Sequence, residues 1–168
     1  MGTRVALSVC VVLGCALCGR ALADAARRRA AALKGIAEGL RVLKIHMTGM
    51  LEPVQCALLS AKCPLFAVVA DGMGEGRSAA EAWQAARAPA MRRGGPAEAL
   101  TESDARVLDA LFDRLGQSGR AEQGALLAGT LRDVEALWDE AAKRSAETGR
   151  LYTSLGFLIG MMIALIVV

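Results

Sequence analysis

The chain has 168 residues, enough for one domain of ordinary size, and is 54% apolar with only 4% aromatic residues, a composition that points to Ala- and Leu-rich helices. A formal charge of +3 is too small for this length to argue for a nucleic-acid binder, and no aromatic stacking platform accompanies the basic residues. The five cysteines are odd in number and lack the spacing of a compact disulfide framework, so free thiols in a reducing compartment are expected.

Val5 to Gly19 is an apolar run of about 15 residues, short for a membrane span and of signal-peptide length. Residues 1–22 therefore have two readings. Ala21-Leu-Ala23 has the small-x-small pattern of a cleavage site. The charges favour a retained anchor: Arg20, Arg27, Arg28, Arg29 and Lys34 follow the run while only Arg4 and the amino terminus precede it, which puts the next segment in the cytoplasm. Cys15 and Cys18 have the spacing of a redox pair, but no basic neighbour stabilises a thiolate there.

Residues 23–150 read as a cytoplasmic helical domain. Asp24 is placed to cap a helix along which Leu33, Ile36, Leu40, Leu43, Met47 and Met50 form one apolar stripe. Gly35 and Gly39 lie beside that stripe, where a close helix–helix approach would explain them. Glu52-Pro53 breaks the helix, Pro53 suits the first turn of a second one running to Lys62, and Pro64 is expected to end it. Cys56 and Cys63 are expected as core thiols, since one histidine and no second cysteine pair cannot complete a four-ligand zinc site. Asp71 to Gly76, with alternating glycines but no Gly-Lys-Ser/Thr ending, reads as a flexible connector.

Ser78-Ala-Ala-Glu81 is a capping box opening a short helix whose core anchor is Trp83, and Pro89 to Pro96 reads as a polar loop. Thr101 to Asp104 opens another helix, with Val107, Leu108, Leu111, Phe112 and Leu115 on one face and Gly116 as its stop. From Arg120 a last helix carries Leu127, Leu131, Val134, Trp138 and Ala141, and no proline separates it from the uncharged run 151–168. One helix of nearly 50 residues is predicted, with Gly149 as its one plausible hinge.

Residues 151–168 would reach about 27 Å as a helix, close to the hydrocarbon thickness of a bilayer. With Val168 as the end, this span is expected to cross with its C-terminus on the far side, Lys143, Arg144 and Arg150 marking the near side. Gly156 and Gly160 have the small-xxx-small spacing that lets membrane helices pack closely. No catalytic set can be assembled around His46, the sole histidine; it is expected at a packing boundary, and Glu98, Glu102 and Asp104 as solvated residues near a helix start. No enzyme, cofactor or metal site is expected.

Ser154-Leu-Gly-Phe-Leu-Ile-Gly160 resembles the opening of the last membrane helix in the stage III sporulation protein AB family, through Leu155, Gly156, Phe157, Leu158 and Gly160. Further matches follow in the family's order: Leu40, Leu43, Pro53 and Ala57; Gly76 with Glu81-Ala-Trp83; Leu100 to Leu108, Leu115-Gly116 and Gln123. The chain departs from the family's pattern at His46, Gly49, Cys56, Leu111-Phe112 and Gly119.

The resemblance implies an all-α, membrane-anchored helical bundle similar to the cytoplasmic domains of type II secretion platform proteins, with a transmembrane helix at each end. It implies a non-enzymatic subunit of the channel between mother cell and forespore, in the mother-cell membrane with its central domain cytoplasmic. Its partners would be other channel subunits, including a secretion-type ATPase, and membrane lipid, with room for a homo-oligomer and none for nucleic acid. The alternatives are a platform protein of a secretion or pilus system, and an exported, tail-anchored redox or ligand-binding protein.

Overall fold

The structure, a computed structural model, describes the backbone of residues 2–167 and the side chains of residue 21 and residues 23–147. Six α-helices and one π-helical turn are present, and no strand occurs among the described residues. Helix α1 spans Gly2–Ile45 and runs into the π turn His46–Met50. Four shorter helices follow: α2 (Val54–Ser60), α3 (Pro64–Gly74), α4 (Ala79–Ala90) and α5 (Glu102–Phe112). Helix α6 spans Arg120–Val167, 48 residues without a break at Gly149, which matches the single long helix predicted.

The chain divides into two compact units, residues 1–30 with 140–168, and residues 31–139. In the first, Asp24 does not cap a helix as expected. It lies inside the continuous α1 and pairs with Arg27 one turn on, 3.5 Å away, while Glu140 and Arg144 pair likewise on α6. The terminal runs expected to cross a membrane, with Leu155, Gly156, Phe157, Leu158 and Gly160, lie outside the described side chains. Among the described residues no helix is long and apolar enough to cross a membrane.

The second unit is built on the stripe Leu33, Ile36, Leu40 and Leu43, all buried on α1. The stripe stops there. The π turn adds a residue to the helical period, which leaves Met47 half-buried and Met50 exposed where continuation of the stripe would have buried both. Gly39 explains how α3 reaches α1: a Cβ at that position would stand 3.0 Å from Cys63 Cβ and 3.0 Å from Phe66 Cε2. Gly35 has nothing within 4 Å of its Cβ position, so close approach accounts for only one of the two glycines.

Both prolines act differently from the sequence reading. Pro53 is the N-cap of α2, extended at φ −55° and ψ 145°, and the first helical position falls to Val54. Pro64 does not end a helix but starts α3, where its fixed φ suits the first turn and its missing N–H leaves nothing unpaired. That helix continues through Asp71, Gly72 and Gly74, so the expected connector shrinks to the few residues around Gly76, which turns with φ 89°. A Cβ on Gly72 would lie 2.9 Å from that of Ala82, so its bare backbone lets α4 pack on α3. Cys56 is exposed and only Cys63 is buried, since the two thiols fall on either side of the break between α2 and α3.

Two capping boxes start α4 and α5. Glu81 N–H donates to Ser78 Oγ, while the Ser78 N–H and then its hydroxyl donate to the Glu81 carboxylate and hold that carboxyl below the usual carboxylate range. Thr101 and Asp104 exchange the same pair of bonds, but Asp104 is buried rather than solvated, because α5 turns that first-turn carboxylate inward. Pro89 belongs to the last turn of α4 rather than to a loop.

Helix α6 lies antiparallel to α1 within this unit: Arg41 pairs with Glu135, and a Cβ on Gly124 would meet Thr48 Cγ2 at 3.3 Å. Its buried positions among the described residues are Gln123, Leu127, Thr130, Val134 and Ala141, so Leu131 and Trp138 sit half-buried at the edge of the expected stripe.

The two glycines of α1 give opposite expectations. Gly39→Leu should lower the unfolding free energy by about 1–3 kcal/mol through overpacking against Phe66. Gly35→Ala should raise it by about 0.5–1 kcal/mol through helix propensity alone. Urea unfolding of the full chain in detergent, followed by tryptophan fluorescence, checks both signs.

Candidate functional site

The departure from regular helix at the end of α1 builds the most distinctive surface. Thr48 Oγ1 donates to the Lys44 carbonyl at 2.7 Å, a back-bond that competes with the helical ladder where it widens into the π turn. Leu51 closes the turn in the left-handed region, φ 60° and ψ 30°, its N–H donating to the His46 carbonyl. The next N–H, of Glu52, donates to the same oxygen at 3.2 Å. His46 Nδ1 and Glu52 Oε2 stand 2.9 Å apart, so the half-buried histidine holds the turn shut from its side chain as well as from its carbonyl. This is the packing-boundary position expected of it.

That geometry pushes apolar side chains outward. Ile45, Met50 and Leu51 expose 57%, 60% and 61% of their surface. A leucine in the left-handed region is disfavoured by about 1–2 kcal/mol because Cβ crowds the backbone, and Leu51 recovers little of that by burial. The signal in the sequence was Leu51 next to Glu52-Pro53, a large apolar residue at a helix break, which periodicity alone assigned to no face.

Beyond the tip formed by Ile45, Met50 and Leu51, the turn between α5 and α6 is held by one amide. Gly116 adopts φ 81° and carries its N–H to Gln123 Oε1 at 3.2 Å, while Gln123 Nε2 donates to the Arg114 carbonyl at 3.0 Å and to Ser118 Oγ at 2.8 Å. Gln123 is buried, and all three bonds serve the turn. The stop comes earlier than Gly116, since α5 ends at Phe112 and Gly116 shapes the turn that follows. The space a side chain would need at Gly116 is taken by Val54 Cγ2, 3.1 Å from its Cβ position. Pro53 at the start of α2 and the Leu115-Gly116 turn are thus brought together, with Leu115 buried beneath.

Trp83 lies apart from them in the core, fully buried, its Nε1 donating to Asp109 Oδ1 at 2.7 Å. Arg87 approaches the same oxygen with Nε at 3.1 Å, an ionic contact outside hydrogen-bond alignment, and bonds Glu102 with its Nη2. The bond to Glu102 raises the Arg87 pKa above its ordinary value and keeps the guanidinium charged. These links tie α4 to α5. They lock packing. Burial pushes the Cys63 thiol up, which disfavours the reactive thiolate. Among the described residues no three His, Cys, Asp or Glu side chains gather to hold a metal ion.

The architecture defines the class: an all-helical bundle whose distinctive surfaces are apolar or charged helix faces and turns. Within that class, the chain belongs to the stage III sporulation protein AB family, whose model matches residues 4–168. Membership carries a role in stage III of sporulation. No curated protein and no solved structure was found to match the chain.

Gln123→Ala removes the partners of the Gly116 N–H and the Arg114 carbonyl together, and should lower the unfolding free energy by about 1–3 kcal/mol. An unchanged urea midpoint would show that water replaces the amide at no cost.

Proposed function

We propose that this chain is a non-enzymatic platform subunit of the channel between mother cell and forespore. On this reading its terminal helices sit in the mother-cell membrane, and residues 31–139 lie in the cytoplasm, where the tip formed by Ile45, Met50 and Leu51 docks the channel's secretion-type ATPase. Family membership supplies the process. The likeness of the family to the cytoplasmic domains of secretion and pilus platform proteins is the ground for naming an ATPase as the partner.

The observation that supports a docking tip is Leu51. A glycine would relieve its left-handed backbone, and a polar residue would suit its exposure, so folding gains little from a leucine there. Contact with a partner would gain from it, since an apolar anchor desolvated at the centre of an interface contributes far more than one left in water.

Leu51→Gly in the full chain should therefore separate stability from function. The urea midpoint should hold or rise, by up to about 1–2 kcal/mol in unfolding free energy, while ATPase retained on the tagged chain falls at least tenfold and heat-resistant spores fall with it. Undiminished retention in Leu51→Gly would remove the tip from the account. Normal spores in a strain deleted for the gene would remove the channel role altogether.

A further inference from the structure

Helices α5 and α6 form a hairpin around the turn at residues 113–119, and an open groove of about 680 Å³ runs along it. Arg106 and Arg114 stand on its α5 side, Glu122 and Asp133 on its α6 side. The pattern is ordered along the groove as well as across it. Arg114 and Glu122 lie at the end near the turn, and Arg106 and Asp133 lie toward the opposite end. All four side chains are exposed, and among the described residues none of them makes an ion pair or side-chain hydrogen bond. Opposite charges thus line a common groove without closing on one another.

The floor between them is apolar and low. Val107 and Leu126 are half-buried in the single chain, and Ala125 and Gly129 are one helical turn apart. Gly129 is inside α6, where a glycine weakens the helix relative to alanine. Among the described residues nothing comes within 4 Å of its Cβ position, so no described contact asks for a glycine there. A surface with small residues at its centre lets another helix approach closely.

We propose that the α5–α6 face is where two copies of this chain pair, about a twofold axis running parallel to the two helices. Such an axis lays α5 of one copy along α6 of the other, antiparallel to it. Arg106 then faces the Asp133 end of the partner copy and Arg114 the Glu122 end, and each contact occurs twice, as a closed twofold interface requires. The face is its own electrostatic complement. A different partner would have to carry the same four charges in the same order, whereas a second copy carries them already. Val107 and Leu126 of both copies are covered in the process, and apolar cover of this kind is what keeps charged pairs at an interface partly desolvated and effective. The face is separate from the tip at residues 45–51, so pairing does not depend on the ATPase reading.

Charge reversal tests it in the full chain. Two differently tagged copies are co-expressed, extracted in mild detergent, and the fraction of one retained by the other is measured. Wild-type copies should co-purify. Copies both carrying Arg106→Glu with Arg114→Glu, or both carrying Glu122→Arg with Asp133→Arg, should lose at least tenfold, because every cross-copy pair becomes a like-charge pair. A copy of the first variant mixed with a copy of the second should recover pairing, because all four contacts are then opposite in sign again; this recovery also shows that both variants fold. Wild-type copies that run singly in light scattering, retention that survives both reversals, or a mixture that fails to recover would each overturn the proposal. Retention of another protein through this face by a wild-type chain that does not self-associate would overturn it as well.

Discussion

Phe112 sits between two other aromatic rings, stacked on Trp83 with centroids 5.1 Å apart and meeting the edge of Phe66 at 6.1 Å. In a chain with so few aromatic residues, this trio joins α3, α4 and α5 at one point, and Gly39 extends the junction to α1 by letting the Phe66 ring reach its backbone. The other buried positions are largely Ala and Leu, whose packing is strong in sum but indifferent to partner. The rings set which helices meet and at what height. Trp83 adds direction, because its buried N–H must find Asp109 on α5.

With the centre of residues 31–139 so determined, the ends and flanks are where the chain departs from economical folding. The Thr101–Asp104 cap, the Gln123 amide and the Trp83–Asp109 bond satisfy polar groups in the interior, while Arg87 Nε has an ionic contact with Asp109 in place of a hydrogen bond. By contrast the tip holds an exposed leucine in a left-handed backbone, and the α5–α6 hairpin holds four exposed charges and a glycine that no other described residue approaches. Local rules broken without a compensating contact inside the molecule mark surfaces whose compensation comes from outside it. The two proposals above assign these surfaces, the tip to a different protein and the α5–α6 face to a second copy of the chain.

Much of the helical framework was legible from residue order. Ser78 with Glu81 and Thr101 with Asp104 are caps with a mechanism, and the structure starts helices at both. The uninterrupted helix from Arg120 followed from an absence of breakers over nearly 50 residues. What misled was punctuation with two meanings. A proline that cannot continue one helix is equally suited to begin the next, so Pro64 looked like an end and is a beginning. The glycines after Asp71 looked like a linker, yet Gly72 serves the close approach of Ala82 of α4 to α3, which residue order does not reveal. Asp104 looked solvated because burial of a capping carboxylate depends on which way its helix packs. The tip was least legible: periodicity carried the stripe through Met47 and Met50, and the π turn that redirects them is a single inserted residue.

On the proposed function, residues 31–139 face the cytoplasm, where an ATPase can reach the tip. Cys56 is a native reporter for this, since its thiol is exposed while that of Cys63 is buried. In a chain with Cys10, Cys15, Cys18 and Cys63 replaced by alanine, Cys56 should react with a membrane-impermeant maleimide only after the sporulating cells are permeabilised. Labelling in intact cells, with a cytoplasmic control protein left unlabelled, would place the unit on the other side of the membrane and contradict the account.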